Sequence, residues 1–253
     1  GSLSAADIVT ALYFKVMNID PANPRMEGRD KFILSKGHAG PVQYAALAER
    51  GYYGVEDMMS LRKLGSRFQG HPNRDKVPGI EMSTGSLGQG FAVSVGMAMA
   101  GKMDEKAGKK SGRVYVLLGD GELQEGLVWE AAMAAAHYKL DNLCAVIDRN
   151  RLQISGNTED VMGHDDLHER IRSFGWHVID VKDGNDIDQL NAAFEEAKTV
   201  KGKPTAVIAN TVKGCGSSVM ENKANWHHKV PTQEEYDQII ADFAARKEAA
   251  LHE

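Results

Sequence analysis

The chain has 253 residues and a formal net charge of −5, with 42% hydrophobic and 26% charged residues. That balance is ordinary for a soluble globular protein near the upper size for one domain, and it excludes a general attraction to nucleic acid or to an anionic membrane. Two cysteines, Cys144 and Cys215, are too few for a disulfide framework and suit a reducing compartment, where both pack as small apolar groups.

The opening segment GSLSAADIV lies only a few residues before a helix expected over 4–17, so native sequence is expected to precede Gly1. KFILS at 31–35 reads as the first strand, followed by a helix over 40–51. The helix expected over 88–107 holds the longest apolar run, FAVSVGMAMAG at 91–101, far short of the roughly 20 residues that span a bilayer. No membrane span and no signal peptide is read, and the chain is expected to be cytoplasmic. That helix is small and apolar nearly all round, as is WEAAMAAAHY in the helix expected over 126–138. Helices without a polar face are buried, either inside the fold or at a subunit interface.

Further strands are expected at VYVLLGD (114–120), NLCAVID (142–148), HVIDV (177–181) and TAVIANTV (205–212), with helices over 165–173, 186–200 and 233–251. No repeat, low-complexity tract or linker divides the chain, so 1–253 reads as a single domain. Strands apolar on both faces and separated by helices predict an α/β fold, a parallel sheet covered by helices on both faces. Ligands bind such sheets beyond the carboxyl ends of the strands.

Two features fall at such ends. Asp120, in GDGELQEG, closes one expected strand, and Asn150, in DRNRLQISG, follows the next. If those strands are neighbours, the carboxylate and the amide oxygen converge, and two hard oxygen ligands suit Mg²⁺ or Ca²⁺. Gly121 allows a phosphate to approach the backbone closely, and the helix starting near Gly126 adds its positive end. A bare acid would repel a phosphate; a cation between them makes the pair compatible. GDG alone also occurs as an ordinary turn, and the pairing with Asn150 carries the functional reading.

GDGELQEG followed by DRNRLQI resembles the thiamine diphosphate motif, and the detailed wording resembles the N-terminal portion of transketolase. LSKGHAGPVQYAAL, GHPNRDKVPGIEMSTGSLGQGFAVSVGMAMA and TVKGCGSSVMENKANWHHKVPTQEEY extend the likeness over nearly the whole chain. The resemblance implies that Asp120, Asn150 and the Leu152 carbonyl hold Mg²⁺ or Ca²⁺ against the diphosphate. It implies cofactor contacts from Gly121, Gly85 and Leu87, with Ile154 on the thiazolium. His38 and His227 match histidines that touch the diphosphate, His227 also facing the substrate, and His71 matches one that contacts the donor sugar. Lys213 either donates to the diphosphate or is an exposed lysine. Glu125 and Glu130 match acids at the subunit interface, whereas His137, His164, His168, His177, His228 and His252 read as structural or solvent-facing.

The resemblance also implies what this chain leaves to others. The activating Glu and the residues that grip a sugar phosphate belong to a pyrimidine-binding domain, which, with the C-terminal domain, is absent from this chain. The expectation is the N-terminal subunit of a split transketolase, rather than an excised domain. It would pair with a C-terminal subunit, as a homodimer of units or a heterotetramer, to move a two-carbon ketol unit between sugar phosphates. A histidine that the family places just before GSLSAADI-like sequence is missing here. The rival readings are an alpha-type subunit of a 2-oxo acid dehydrogenase, disfavoured by GHP and TGSLGQG, and a non-catalytic nucleotide-binding or scaffold domain, disfavoured by Asp120.

Overall fold

Strands with two apolar faces leave no side for water, and the computed structural model, which describes residues 1–252, sandwiches them accordingly. The five long strands are β1 (Lys31–Leu34), β2 (Val114–Gly119), β3 (Leu143–Arg149), β6 (His177–Val181) and β7 (Thr205–Asn210). They form one sheet in the order β1-β2-β3-β7-β6, and every neighbouring pair is parallel.

Alternation along each strand divides the core into two layers. Phe32, Leu34, Leu117, Val146 and Val207 point to one face, where α1 (Ala6–Ala11), α2 (Gly40–Glu49) and α7 (Ile187–Thr199) bring Ile8, Leu47, Leu190 and Phe194. Ile33, Val116, Leu118, Ile147 and Ile208 point to the other, against α3 (Gln89–Lys106), α4 (Gly126–His137) and α6 (Leu167–Ser173). A final helix, α8 (Gln233–Ala250), opens on a capping box between Thr232 and Glu235 and buries only Ile239.

The expected elements are present, with local differences at their ends. The first helix is a composite: a 3₁₀ turn Leu3–Ala5, then α1, then a π turn Leu12–Val16. The helix expected from 165 starts at Leu167, because the Asp166 side chain caps it by accepting from Glu169 N. The strand expected to reach 212 stops at Asn210; Val212 N turns away to the Asn185 side chain. A two-residue hairpin, β4 (Leu152–Gln153) with β5 (Gly156–Asn157), and a short helix α5 (Thr158–Met162) are too brief to show a period in sequence. The single domain expected over 1–253 ends at Glu253, outside the described residues.

Neither apolar helix is enclosed all round. Phe91, Val95 and Ala98 of α3 are buried on the sheet, while Val93 and Met103 of α3 and Met133 of α4 face outward. Among the described residues no helix is long and apolar enough to cross a membrane.

Small residues on α3 matter most where it meets the end of β1. A Cβ on Gly90 would lie 2.7 Å from the Ser35 Cα, whereas one on Gly96 meets nothing within 4 Å. Gly90→Ala is therefore expected to destabilise the chain by about 1–3 kcal/mol through overpacking. Gly96→Ala should instead be neutral or stabilise by up to ~1 kcal/mol, because it removes only helix-weakening freedom. Urea denaturation of the two variants measures the contrast.

Candidate active site

In a parallel sheet all carboxyl ends lie along one edge, and four segments leave that edge together. After β1 come Ser35, Lys36, Gly37 and His38; after β2, Asp120 and Gly121; after β3, Asn150; after β7, Thr211 and Lys213. The loop ahead of α3 is stitched onto them. Thr84 Oγ1 donates to Leu34 O at 2.7 Å, and a Cβ on Gly37 would sit 2.8 Å from the Thr84 carbonyl carbon. Only glycine at 37 admits that approach.

Asp120 leaves β2 as the cap of a 3₁₀ turn, Gly121–Gln124, and its Oδ1 accepts from Gly121 N at 2.8 Å. Its Oδ2 accepts from Arg151 N, which a left-handed Arg151 (φ 63) turns toward it. That bond draws the segment after β3 to Asp120, so Asp120 and Asn150 are brought to one place, both buried. Asn150 Oδ1 accepts from Leu152 N at 3.1 Å, and Leu152 is half-buried in the hairpin. Gly121 lies beneath the same hairpin: a Cβ there would meet Gln153 Cβ at 3.2 Å. Ile154, at the hairpin tip, is 64% exposed.

The cations and histidines gather at the same edge, where the turn Ala224–His227 packs against the hairpin strand Leu152–Gln153. The His38 and His227 rings stack at 4.9 Å between centroids, and Lys213 Nζ lies 3.1 Å from His227 Nδ1. Burial, then the nearby charge of Lys36, pulls His38 down to about 3; burial, then Lys213, pulls His227 down to about 4. Both imidazoles are therefore neutral at pH 7. Lys213 donates to Nδ1, so the proton of His227 sits on Nε2, leaving that nitrogen as a donor. Lys213 is only 2% exposed, which removes the reading of it as a surface lysine. Burial, then repulsion from Lys36, lowers it to about 8, so it remains mostly charged at neutral pH.

His71 stands at the rim, packed against Gly85, whose Cβ would lie 3.3 Å from His71 Cδ2. Tyr44 Oη donates to Gln69 O and His71 O at 2.9 and 3.1 Å, holding that loop. Beside His71 opens a cleft of about 790 Å³ lined also by Arg62, Lys63 and Lys76. The Arg62 guanidinium lies over Gly70, where a Cβ would come within 2.9 Å of Nε. Leu87, half-buried, follows Gly85 on the same loop.

Sequence reasoning missed the polar network beneath these groups. Asp148, fully buried, forms a salt bridge with Lys36 and accepts from Ser4 Oγ at 2.7 Å and from Thr211 Oγ1. Burial opposes its charge, yet Lys36 and the two hydroxyls hold Asp148 below the usual carboxylate range. His164, expected to be structural or solvent-facing, is buried with Nε2 2.9 Å from Asp120 O; that carbonyl only accepts, so Nε2 carries the proton. Glu122 is also buried, while Glu125 and Glu130 face solvent. The only sequence signals for this network were polar residues flanking apolar strands, which equally mark ordinary strand ends.

Among the buried charges without an ion pair, Glu122 accepts from three donors, and Asp120 and Lys213 are the two of opposite sign that share this edge. Asp120 makes no ion pair among the described residues, and burial, then repulsion from Asp148, pushes it up to about 6. Lys213 likewise has no acidic partner at salt-bridge distance among the described residues. A negative group needing a cation therefore faces the same edge as a positive group needing an anion. No cluster of three or more His, Cys, Asp or Glu side chains suited to a metal occurs among the described residues. A cation here would depend on mixed oxygen donors, which is the donor chemistry of Mg²⁺ or Ca²⁺.

Residues 1–248 match the family model described as "Transketolase, thiamine diphosphate binding domain". The chain belongs to that family. It is 45% identical over 248 residues to a subunit of the apulose-4-phosphate transketolase of Phocaeicola vulgatus, covering 98% of this chain and 86% of that protein. It is 43% identical to the "6-deoxy-6-sulfo-D-fructose transketolase subunit SqwG" of a Clostridium species, covering 96% of this chain and 86% of the relative. Human transketolase is 45% identical over 95% of this chain, which spans only 37% of that longer protein. Among solved structures, transketolase from Campylobacter jejuni superposes with a TM-score of 0.87 at 33% identity over 94% of this chain and 38% of that one. The parallel sheet and its covering helices are thus the fold of the transketolase thiamine diphosphate-binding domain.

The Lys36–Asp148 pair gives a stability test. Asp148→Asn or Lys36→Met alone leaves a buried charge uncompensated and is expected to cost about 3–5 kcal/mol in urea denaturation. The double variant should cost well under the sum, since neither charge then remains; additive losses would contradict the pairing.

Proposed function

We propose that this chain is the cofactor-binding subunit of a two-chain transketolase, holding thiamine diphosphate with a divalent cation, Mg²⁺ or Ca²⁺. The observation that carries the reading is the pair of unmatched buried charges, Asp120 and Lys213, at one sheet edge. A metal–diphosphate supplies both missing partners at once. The similarity to proteins named as transketolase subunits, over most of their own length, supports a role as one part of a divided enzyme.

In this reading Asp120, Asn150 and the Leu152 carbonyl hold the cation. Each Asp120 oxygen already accepts one backbone N–H, which fixes its orientation and leaves lone pairs for the metal. Lys213 Nζ donates to the diphosphate as a charge-assisted donor, and Gly121, whose N–H is already given to Asp120 Oδ1, contributes the absence of a side chain where the diphosphate approaches the backbone. Gly85 and Leu87 line the cofactor, and the exposed Ile154 is available to cover an apolar ring. Bound thiamine diphosphate supplies the electron sink for breaking and remaking a C–C bond beside a ketose carbonyl.

The chain's own residues orient the reactants and handle protons. His227 Nε2–H and the neutral His38 donate to phosphate or sugar hydroxyls without adding charge. His71, at the cleft, faces the donor sugar near its carbonyl. The basic side chains of Arg62, Lys63 and Lys76 around that cleft favour anionic sugars such as sugar phosphates. A partner carrying the pyrimidine-binding domain completes the site. Glu125 and Glu130, exposed near the start of α4, are free of the core and available for an inter-subunit carboxylate contact.

Titration calorimetry of thiamine diphosphate in the presence of Mg²⁺ tests the site. Asp120→Ala is expected to abolish metal-dependent binding, and Lys213→Ala to weaken it by about tenfold or more, one charge-assisted hydrogen bond. Unchanged affinity in Asp120→Ala would refute the assignment. Reconstituted with its pyrimidine-domain partner, the enzyme should turn over xylulose 5-phosphate with ribose 5-phosphate and leave pyruvate untouched.

A further inference from the structure

We infer that Glu122 is the positioning residue that sets three cofactor-facing loops against one another. The inference rests on the cofactor reading above and concerns a side chain that contacts neither metal nor diphosphate in that reading. Glu122 follows the Gly119–Gly121 turn and points back beneath it, 2% exposed. One oxygen, Oε1, accepts from Ser35 Oγ and from Gly88 N at 2.8 Å; Oε2 accepts from Gly119 N at 3.1 Å.

Each donor lies next to a residue assigned to the site. Ser35 precedes Lys36, Gly37 and His38; Gly119 precedes Asp120; Gly88 follows Leu87 and closes the Gly85–Leu87 loop. The three segments come from the end of β1, the end of β2 and the entry to α3, and among the described residues no other side chain accepts from all of them. The network continues one step further: Ser35 Oγ, donating to Glu122, accepts from Phe91 N at 3.1 Å in the first turn of α3. Gly88 itself adopts φ 79, the left-handed geometry that glycine tolerates, and caps α3 with its backbone alone.

The chemistry of this contact requires a carboxylate. All three partners are donors, so an amide at position 122 would set an N–H₂ against an N–H or O–H. No cation pairs with Glu122 among the described residues, and an unpaired buried anion is costly unless hydrogen bonds and a helix N-terminus compensate it. An anion behind a diphosphate site is also unfavourable electrostatically. An apolar residue would avoid both penalties but would leave Gly88 N and Gly119 N without acceptors. What the carboxylate adds is the relative placement of the three loops, and preorganised geometry of this kind appears as ligand affinity.

The test uses the full chain, thiamine diphosphate with Mg²⁺, and the variants Glu122→Gln, Ser35→Ala and both together. Calorimetry gives cofactor Kd and urea denaturation gives stability, so affinity is read on protein that is folded. Glu122→Gln is expected to raise Kd by about tenfold or more, and Ser35→Ala by about threefold or more, with the double variant little worse than Glu122→Gln, because both act through one network. In the reconstituted enzyme, KM for the cofactor should rise while kcat at saturating cofactor stays within about twofold. A folded Glu122→Gln chain with wild-type Kd, however destabilised, overturns the positioning role and leaves a structural one. If Glu122→Gln fails to fold, Ser35→Ala decides alone: a raised Kd supports the role and an unchanged Kd overturns it. A wild-type chain that does not bind thiamine diphosphate would instead overturn the cofactor reading.

Discussion

Parallel register is the constraint on which the site depends. Leu34 pairs with Leu117, Gly119 with Asp148, and Arg149 with Asn210, so β2, β3 and β7 end within one residue of the same level and β1 two residues short of the end of β2. Side chains just past those ends meet although they lie far apart in sequence; Ser4 and Lys36 both reach Asp148. A one-residue slip of β2 against β3 would exchange its side chains between the two core layers, putting Tyr115 and Leu117 where Val116 and Leu118 pack, so core packing and site geometry are secured together.

The buried charges at that edge fall into two kinds. Asp148 is neutralised by Lys36 and two hydroxyls, and Glu122 is satisfied by three donors; these charges are complete within the chain. Asp120 and Lys213 are not. Burying an unpaired charge costs several kcal/mol, and under the proposed function a metal–diphosphate, which carries both complementary signs, offsets that cost for the two of opposite sign at one edge. The complete charges form the floor that holds the incomplete ones in place, and the neutral histidines His38 and His227 add donors without adding positive charge.

Much of this was legible in the sequence because two local signals are strong. Alternating apolar strands and helices pointed to the parallel sheet, and each of the long elements is found near its expected bounds. GDG with Asn150 marked the two strand ends that Arg151 N then joins. The π turn after α1, the β4–β5 hairpin and α5 carry no period long enough to read. The Lys36–Asp148 pair was invisible for another reason: the partners belong to strands that both flank β2, and only the strand order brings them together. Glu122 was overshadowed by Glu125 and Glu130 in the same acidic stretch, since burial, which separates them, is a tertiary property. Lys213 was readable either as donor or as surface lysine until burial decided between them.

If one metal–diphosphate satisfies Asp120 and Lys213 together, cation and cofactor must strengthen each other's binding by the same factor, whichever is added first. Calorimetry of the wild-type chain in both orders, Mg²⁺ into the thiamine diphosphate complex and thiamine diphosphate with and without Mg²⁺, measures that coupling. The account requires a reciprocal enhancement of at least about tenfold, ~1.4 kcal/mol. Thiamine diphosphate binding that is equally tight in chelator would contradict it.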